Sequence, residues 1–139
     1  TLVEHAARGE TPHTPPTPLL HALDVQLARV LAEGLPARAA RHAAMGGLVR
    51  DWAARRFEVL ARPEAHSPTV TTVENTLGID VPALLAAAEQ RGYRIANGYA
   101  ELRDATFRIG HMGDVTLEET RGRLAALDEA LDEQPVRHR

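Results

Sequence analysis

The sequence predicts an α/β domain of α+β-like layout, with a small three-stranded sheet covered by helices on one face and preceded by two helices. Three observations carry this. Leu20, Leu23, Leu27, Val30 and Leu31 recur at helical spacing. Thr69-Val70-Thr71-Thr72-Val73 is a β-branched run of the kind that suits a half-buried strand. The order that follows is strand, helix, strand, strand, helix, which suits a layer of helices over a sheet.

From Thr1 to Pro18 the chain reads as irregular, and four prolines fall among the eight residues from Thr11 to Pro18. Each fixes its own φ and extends its predecessor, giving a stiff connector. Thr17-Pro18 then reads as N-cap and first helical residue, with Gly34 as the stop, so the first helix covers about 18–33. Pro36 opens a second helix to about residue 61, with Ala40, Met45, Leu48, Val49 and Trp52 on one stripe. Gly46-Gly47 inside it implies either close packing or a bend, because each glycine costs about 1 kcal/mol relative to alanine. After the strand over 69–73, Asp80 caps a third helix that ends at Gly92. Strands follow over 93–96 and 106–110. Thr116-Leu117-Glu118-Glu119 is a capping box, opening a last helix that carries Leu124, Leu127 and Leu131 to about residue 133.

Composition narrows the chemistry. At 139 residues the chain is long enough to bury a core as one ordinary domain. It has no cysteine, which excludes disulfides, thiolate metal sites and a cysteine nucleophile. All 16 basic residues are arginine, so a Schiff-base enzyme or a P-loop acting alone is excluded for want of an amine. No run of 18 apolar residues and no leader sequence are visible, which gives a soluble cytoplasmic protein as the expectation. The first residue is Thr1 rather than Met, which suggests processing, truncation or a piece of something longer.

The seven histidines, at 5, 13, 21, 42, 66, 111 and 138, show no paired ligand spacing on one helix face, so no metal site is expected. Arg38, Arg41, Arg50, Arg55 and Arg56 on the long helix suggest a nucleic-acid face. A net charge of −3 and only five aromatic residues instead favour a solvated helix face. Arg108 stands apart, inside a strand between Phe107 and Ile109 and followed by Gly110 and Gly113. A guanidinium there needs an anion, and its fork matches a carboxylate. Two readings remain open for it, a carboxylate-binding arginine or an internal salt bridge to one of the 19 acids. Thr11 and Thr14 likewise either offer hydroxyls to a phosphate or belong to a plain linker.

Three stretches, taken in order, resemble one family. Thr11-Pro12-His13-Thr14-Pro15-Pro16, followed by Ala22-Leu23-Asp24, Glu33-Gly34-Leu35, Arg38 and Ala40-Arg41-His42, resembles the segment after the cofactor lysine in class V pyridoxal-phosphate aminotransferases. Pro68 to Val73 resembles the first strand of their small C-terminal domain. Ile95-Ala96-Asn97-Gly98, the Phe107-Arg108-Ile109-Gly110-His111-Met112-Gly113 element and the closing helix resemble its end. The subgroup it looks most like is the serine/alanine–glyoxylate or pyruvate aminotransferases.

The resemblance implies a fold-type I transferase's C-terminal part, with residues 1–34 ending the large cofactor domain and 35–139 forming the small domain. It implies that Arg108 grips the substrate α-carboxylate. Thr14 matches a threonine that reaches across a homodimer to the neighbour's cofactor phosphate, and Thr11 falls where relatives place a tyrosine with that task. Asn97 and Gly98 fall on the stretch lining the substrate entrance. The implied substrates are a small amino acid and a 2-oxo acid, with no nucleic acid or membrane partner. The family's lysine and its aspartate partner for the pyridine nitrogen lie N-terminal to the matched region, so no catalytic residue is expected in this chain. Pyridoxal 5'-phosphate would be held mainly by those missing groups. The alternatives are a free-standing, non-catalytic interaction domain, whose Leu20, Leu23 and Leu27 stripe a partner would cover, or one half of a split aminotransferase.

Overall fold

The structure is a computed structural model describing residues 1–134. His138 and the other residues after 134 lie outside the described residues. The chain divides into two compact units, Thr1–Arg38 and Ala39–Arg139.

The first unit holds two helices. α1, Leu2–Ala7, occupies part of the segment expected to be irregular. Its cause is a capping box: Thr1 Oγ1 accepts from the Glu4 N–H at 3.3 Å, and the Glu4 side chain reaches back to the Thr1 backbone. α2, Thr17–Glu33, starts one residue earlier than expected, with Pro16 rather than Thr17 at the N-cap and Gly34 at φ 84° ending it. Thr17 Oγ1 donates to the Pro15 carbonyl and so caps nothing in the helix.

The second unit is the sheet and its cover. α3 runs Leu35–Ala53, crossing the division between units, and ends well before residue 61. There the Phe57 N–H turns back to the Ala53 carbonyl at 2.7 Å, which buries Phe57 and frees the next residues to extend. These form an unexpected strand, β1, Glu58–Val59. β2 is Val70–Glu74, α4 Val81–Gln90, β3 Ala96–Asn97, β4 Thr106–Gly110 and α5 Leu117–Asp132. The sheet therefore has four antiparallel strands, in the order β1-β2-β4-β3, rather than three. β1 escaped sequence reading because two residues are too few to show alternation, and its pairing with Glu74 and Val73 is supplied by tertiary structure.

Period-two alternation then separates the sheet's faces. Thr71, Val73, Phe107 and Ile109 are buried on one face, in register as Thr71 opposite Ile109 and Val73 opposite Phe107. Val73, Phe107 and Ile109 pack with Val49, Trp52 and Ala53 of α3, Val81, Leu84 and Ala88 of α4, and Leu124, Leu127, Ala130 and Leu131 of α5. Trp52, Phe57 and Phe107 meet at tilted and edge-on angles with centroids 5.4–6.4 Å apart. Gly46 is explained by close packing: a Cβ there would lie 2.9 Å from both Arg50 Nη1 and His111 Cε1. Ala40, expected on the buried stripe, is exposed.

Candidate functional site

On the opposite face of the sheet, alternation places Arg108 at the centre of β4, between Thr72 of β2 and Ala96 of β3. Its guanidinium is held on two sides by one short loop. Nε donates to the Asn97 carbonyl at 2.9 Å, and the guanidinium carbon lies 3.8 Å from the centroid of the Tyr99 ring. Among the described residues no carboxylate comes within ion-pairing distance of Arg108, and neither Nη1 nor Nη2 makes a hydrogen bond. An internal salt bridge is thus not formed. What the geometry leaves is two terminal N–H groups on an oriented fork, the arrangement that receives a carboxylate through two parallel hydrogen bonds.

The supporting loop is built tightly. Asn97 Nδ2 donates to Asp104 Oδ1 at 2.6 Å, and Asn97 Oδ1 accepts from the Asp104 N–H at 2.8 Å, closing residues 97–104 into a ring. Ala100 and Asp104 sit at φ 47° and 62°, in the left-handed region. Gly98 is buried, and a Cβ on it would fall 2.0 Å from the Leu102 carbonyl oxygen and 2.4 Å from Thr106 Oγ1. Only glycine lets the backbone pass there.

Below β4, the chain turns through Gly110 to Gly113, and buried His111 anchors that turn. Its Nδ1 is 3.1 Å from the Pro68 carbonyl and its Nε2 3.0 Å from Thr71 Oγ1. Because a carbonyl only accepts, Nδ1 carries the proton and neutral Nε2 accepts from Thr71. Burial is the main cause that pushes His111 below the ordinary histidine value, and the Arg50 charge adds to it. Arg41 donates to the Val115 and Gly113 carbonyls, His42 to the Gly113 carbonyl at 3.2 Å, and Arg123 to the Gly110 carbonyl. Arg123 Nε is buried without a partner, and burial pushes its guanidinium down.

The other candidates fall elsewhere. Thr11 and Thr14 are exposed in the first unit, and the Thr11 hydroxyl donates to the His13 carbonyl at 2.7 Å. The arginines expected to form a solvated face are mostly engaged: Arg38 with Glu33 at 2.8 Å, Arg55 with Asp128 at 3.6 Å, Arg56 with Asp132 at 2.9 Å. No group of three histidine, aspartate or glutamate side chains among the described residues is placed to hold a metal. Tyr99 was missed by sequence reading. Its only signal is its place two residues after Asn97, which acquires meaning once β3 and β4 pair.

No family model matches the chain. Over 133 residues it is 35% identical to the serine–glyoxylate aminotransferase of Methylorubrum extorquens, covering 93% of this chain and 33% of that protein. It is 33% identical over 115 residues to the L-aspartate–glyoxylate aminotransferase of Paracoccus denitrificans, covering 79% of this chain and 28% of the relative. Among solved structures, pyridoxamine–pyruvate aminotransferase from Mesorhizobium loti matches with a TM-score of 0.81 at 31% identity, over 91% of this chain and 34% of that one. The chain thus spans about a third of the length of the curated relatives it matches. In sequence and in fold it is related to the class V pyridoxal-phosphate aminotransferases and matches their C-terminal region.

Proposed function

We propose that this chain supplies the substrate-carboxylate contact of an aminotransferase that moves an amino group between a small amino acid, serine or alanine, and a 2-oxo acid, glyoxylate or pyruvate. The observation that carries the reading is Arg108: a guanidinium fixed by Asn97 and Tyr99, with both terminal nitrogens unspent and no internal carboxylate. Its role is orientation. Holding the α-carboxylate at two points fixes the amino group and the α-carbon relative to the reacting centre.

Pyridoxal phosphate, when bound, supplies the electron sink for such a transfer. This chain fits that group only at its edge. With no lysine among 139 residues it lacks the amine that, in this family, would hold the cofactor covalently and carry the α-proton. The exposed hydroxyl of Thr14 remains compatible with a phosphate contact across a homodimer, whereas that of Thr11 is already turned onto its own loop. On this reading residues 1–34 finish a cofactor-binding domain, 35–139 form the small domain, and the whole protein is cytoplasmic. The exposed Leu20, Leu23 and Leu27 of α2 then face the rest of the enzyme.

The test is to isolate the native polypeptide with an antibody to this chain and assay it with serine or alanine and glyoxylate. Amino transfer by the captured material, with a lysine-bearing segment or subunit present, supports the reading. Capture of a 15.1 kDa chain alone without transfer contradicts it.

A further inference from the structure

A small cavity of mixed polar and aliphatic lining lies on the far side of β2 from β4, beside the connection from β1 to β2. It has a volume of about 110 Å³ and is lined by Arg50, His66, Ser67, Thr71 and Thr72 together with aliphatic residues, and among the described residues no carboxylate lines it. Arg50 reaches it from α3. Its guanidinium is half-buried, and its one hydrogen bond, from Nη1 to the Ser67 carbonyl, is stretched to 3.5 Å. No carboxylate among the described residues pairs with it. This sets Arg50 apart from Arg38 on the same helix and from Arg55 and Arg56 just beyond its end, each of which has an acidic partner.

A cation drawn partly out of water without a counter-charge is costly. Here the surroundings also leave it little room to move. The head group packs over Gly46, where even a methyl group would meet Nη1 at 2.9 Å, beside the buried His111 ring. His66 is fixed in turn, with Nε2 donating to the Ala61 carbonyl at 3.1 Å. The hydroxyls of Ser67 and Thr69 are 3.0 Å apart. The Arg50 guanidinium and the Ser67 and Thr72 hydroxyls around a space holding several water volumes suit a compact oxyanion. Pockets for larger organic ligands are several times bigger, at roughly 300–1,000 Å³.

We propose that this cavity is an anion site centred on Arg50 that takes a phosphate group, free or as the head of a phosphate ester, and that it is separate from Arg108. The proposal does not rest on the aminotransferase reading.

The test is calorimetric titration of the full chain with inorganic phosphate and, in parallel, methyl phosphate, in chloride buffer at constant ionic strength. The variants are Arg50→Gln, Arg50→Lys, Arg108→Gln and, as a surface-charge control, Arg94→Gln. Saturable binding that falls at least about tenfold in Arg50→Gln, partly returns in Arg50→Lys and is unchanged in Arg108→Gln and Arg94→Gln supports the site. Binding of phosphate alone identifies the free ion, and binding of both identifies an ester head. Amide shifts of Ser67 and Thr72 on phosphate addition give a readout in the unmodified chain, whatever the folding of the variants. Absence of saturable binding, equal loss in Arg50→Gln and Arg94→Gln, or shifts confined to other residues would overturn the proposal.

Discussion

The Arg108 guanidinium carbon lies over the Tyr99 ring, 3.8 Å from its centroid, while the Asn97 carbonyl accepts from Nε at 2.9 Å. Tyr99 is itself largely exposed, at 71%. A ring that is not buried for its own sake serves here as a platform against which the guanidinium rests. The stacking is worth about 0.5–1 kcal/mol at such an exposed position. In the assembled enzyme, Tyr99→Ala should therefore raise KM for the amino acid about two- to fivefold and leave kcat nearly unchanged. Tyr99→Phe keeps the ring face and should behave as the parent. Steady-state kinetics of the two variants check this, and a parent-like Tyr99→Ala removes the platform role.

Gly98 is where the loop under Arg108 has no slack. A methyl group would collide with the Leu102 backbone, which is not a flexible side-chain end that can swing away. Gly98→Ala should cost at least about 2 kcal/mol, within the usual range for overpacking. Urea denaturation measures it, and a loss below about 0.5 kcal/mol means the loop relaxes freely.

His111 makes stability depend on pH. Its folded pKa is lowered, chiefly by burial, so the unfolded chain binds the proton more readily. The stabilisation from the neutral ring is complete above the unfolded value of about 6.5 and is lost as pH falls through the lower folded value. Unfolding free energy should decline between pH 7 and pH 5, and His111→Gln should flatten that slope. An unchanged slope in the variant assigns the pH dependence to other groups.

How much could be read from sequence followed from how local each cause is. The Thr116–Glu119 capping box, the Asp80 cap and the Gly92 stop are set by neighbours within a few residues, and each stands where expected. β4 coincides with the expected 106–110 run because Phe107 and Ile109 alternate with Arg108. β1 and the true end of α3 depend on Phe57 entering a core assembled from distant helices, which no local pattern announces. Arg108 was conspicuous as a charge among apolar neighbours, but its lack of an acidic partner among the described residues and its seat on Tyr99 emerge only from strand pairing. Arg50 passed for a surface residue because the segment over 60–69 that covers it is irregular in sequence.

The central claim is that Arg108 receives a substrate carboxylate, and the measurement that tests it most directly is the KM of the assembled enzyme for its amino acid in Arg108→Lys. Lysine keeps the charge but loses the two-pronged fork, so KM should rise at least about tenfold while kcat changes far less. An unchanged KM in a folded Arg108→Lys enzyme would contradict the carboxylate role.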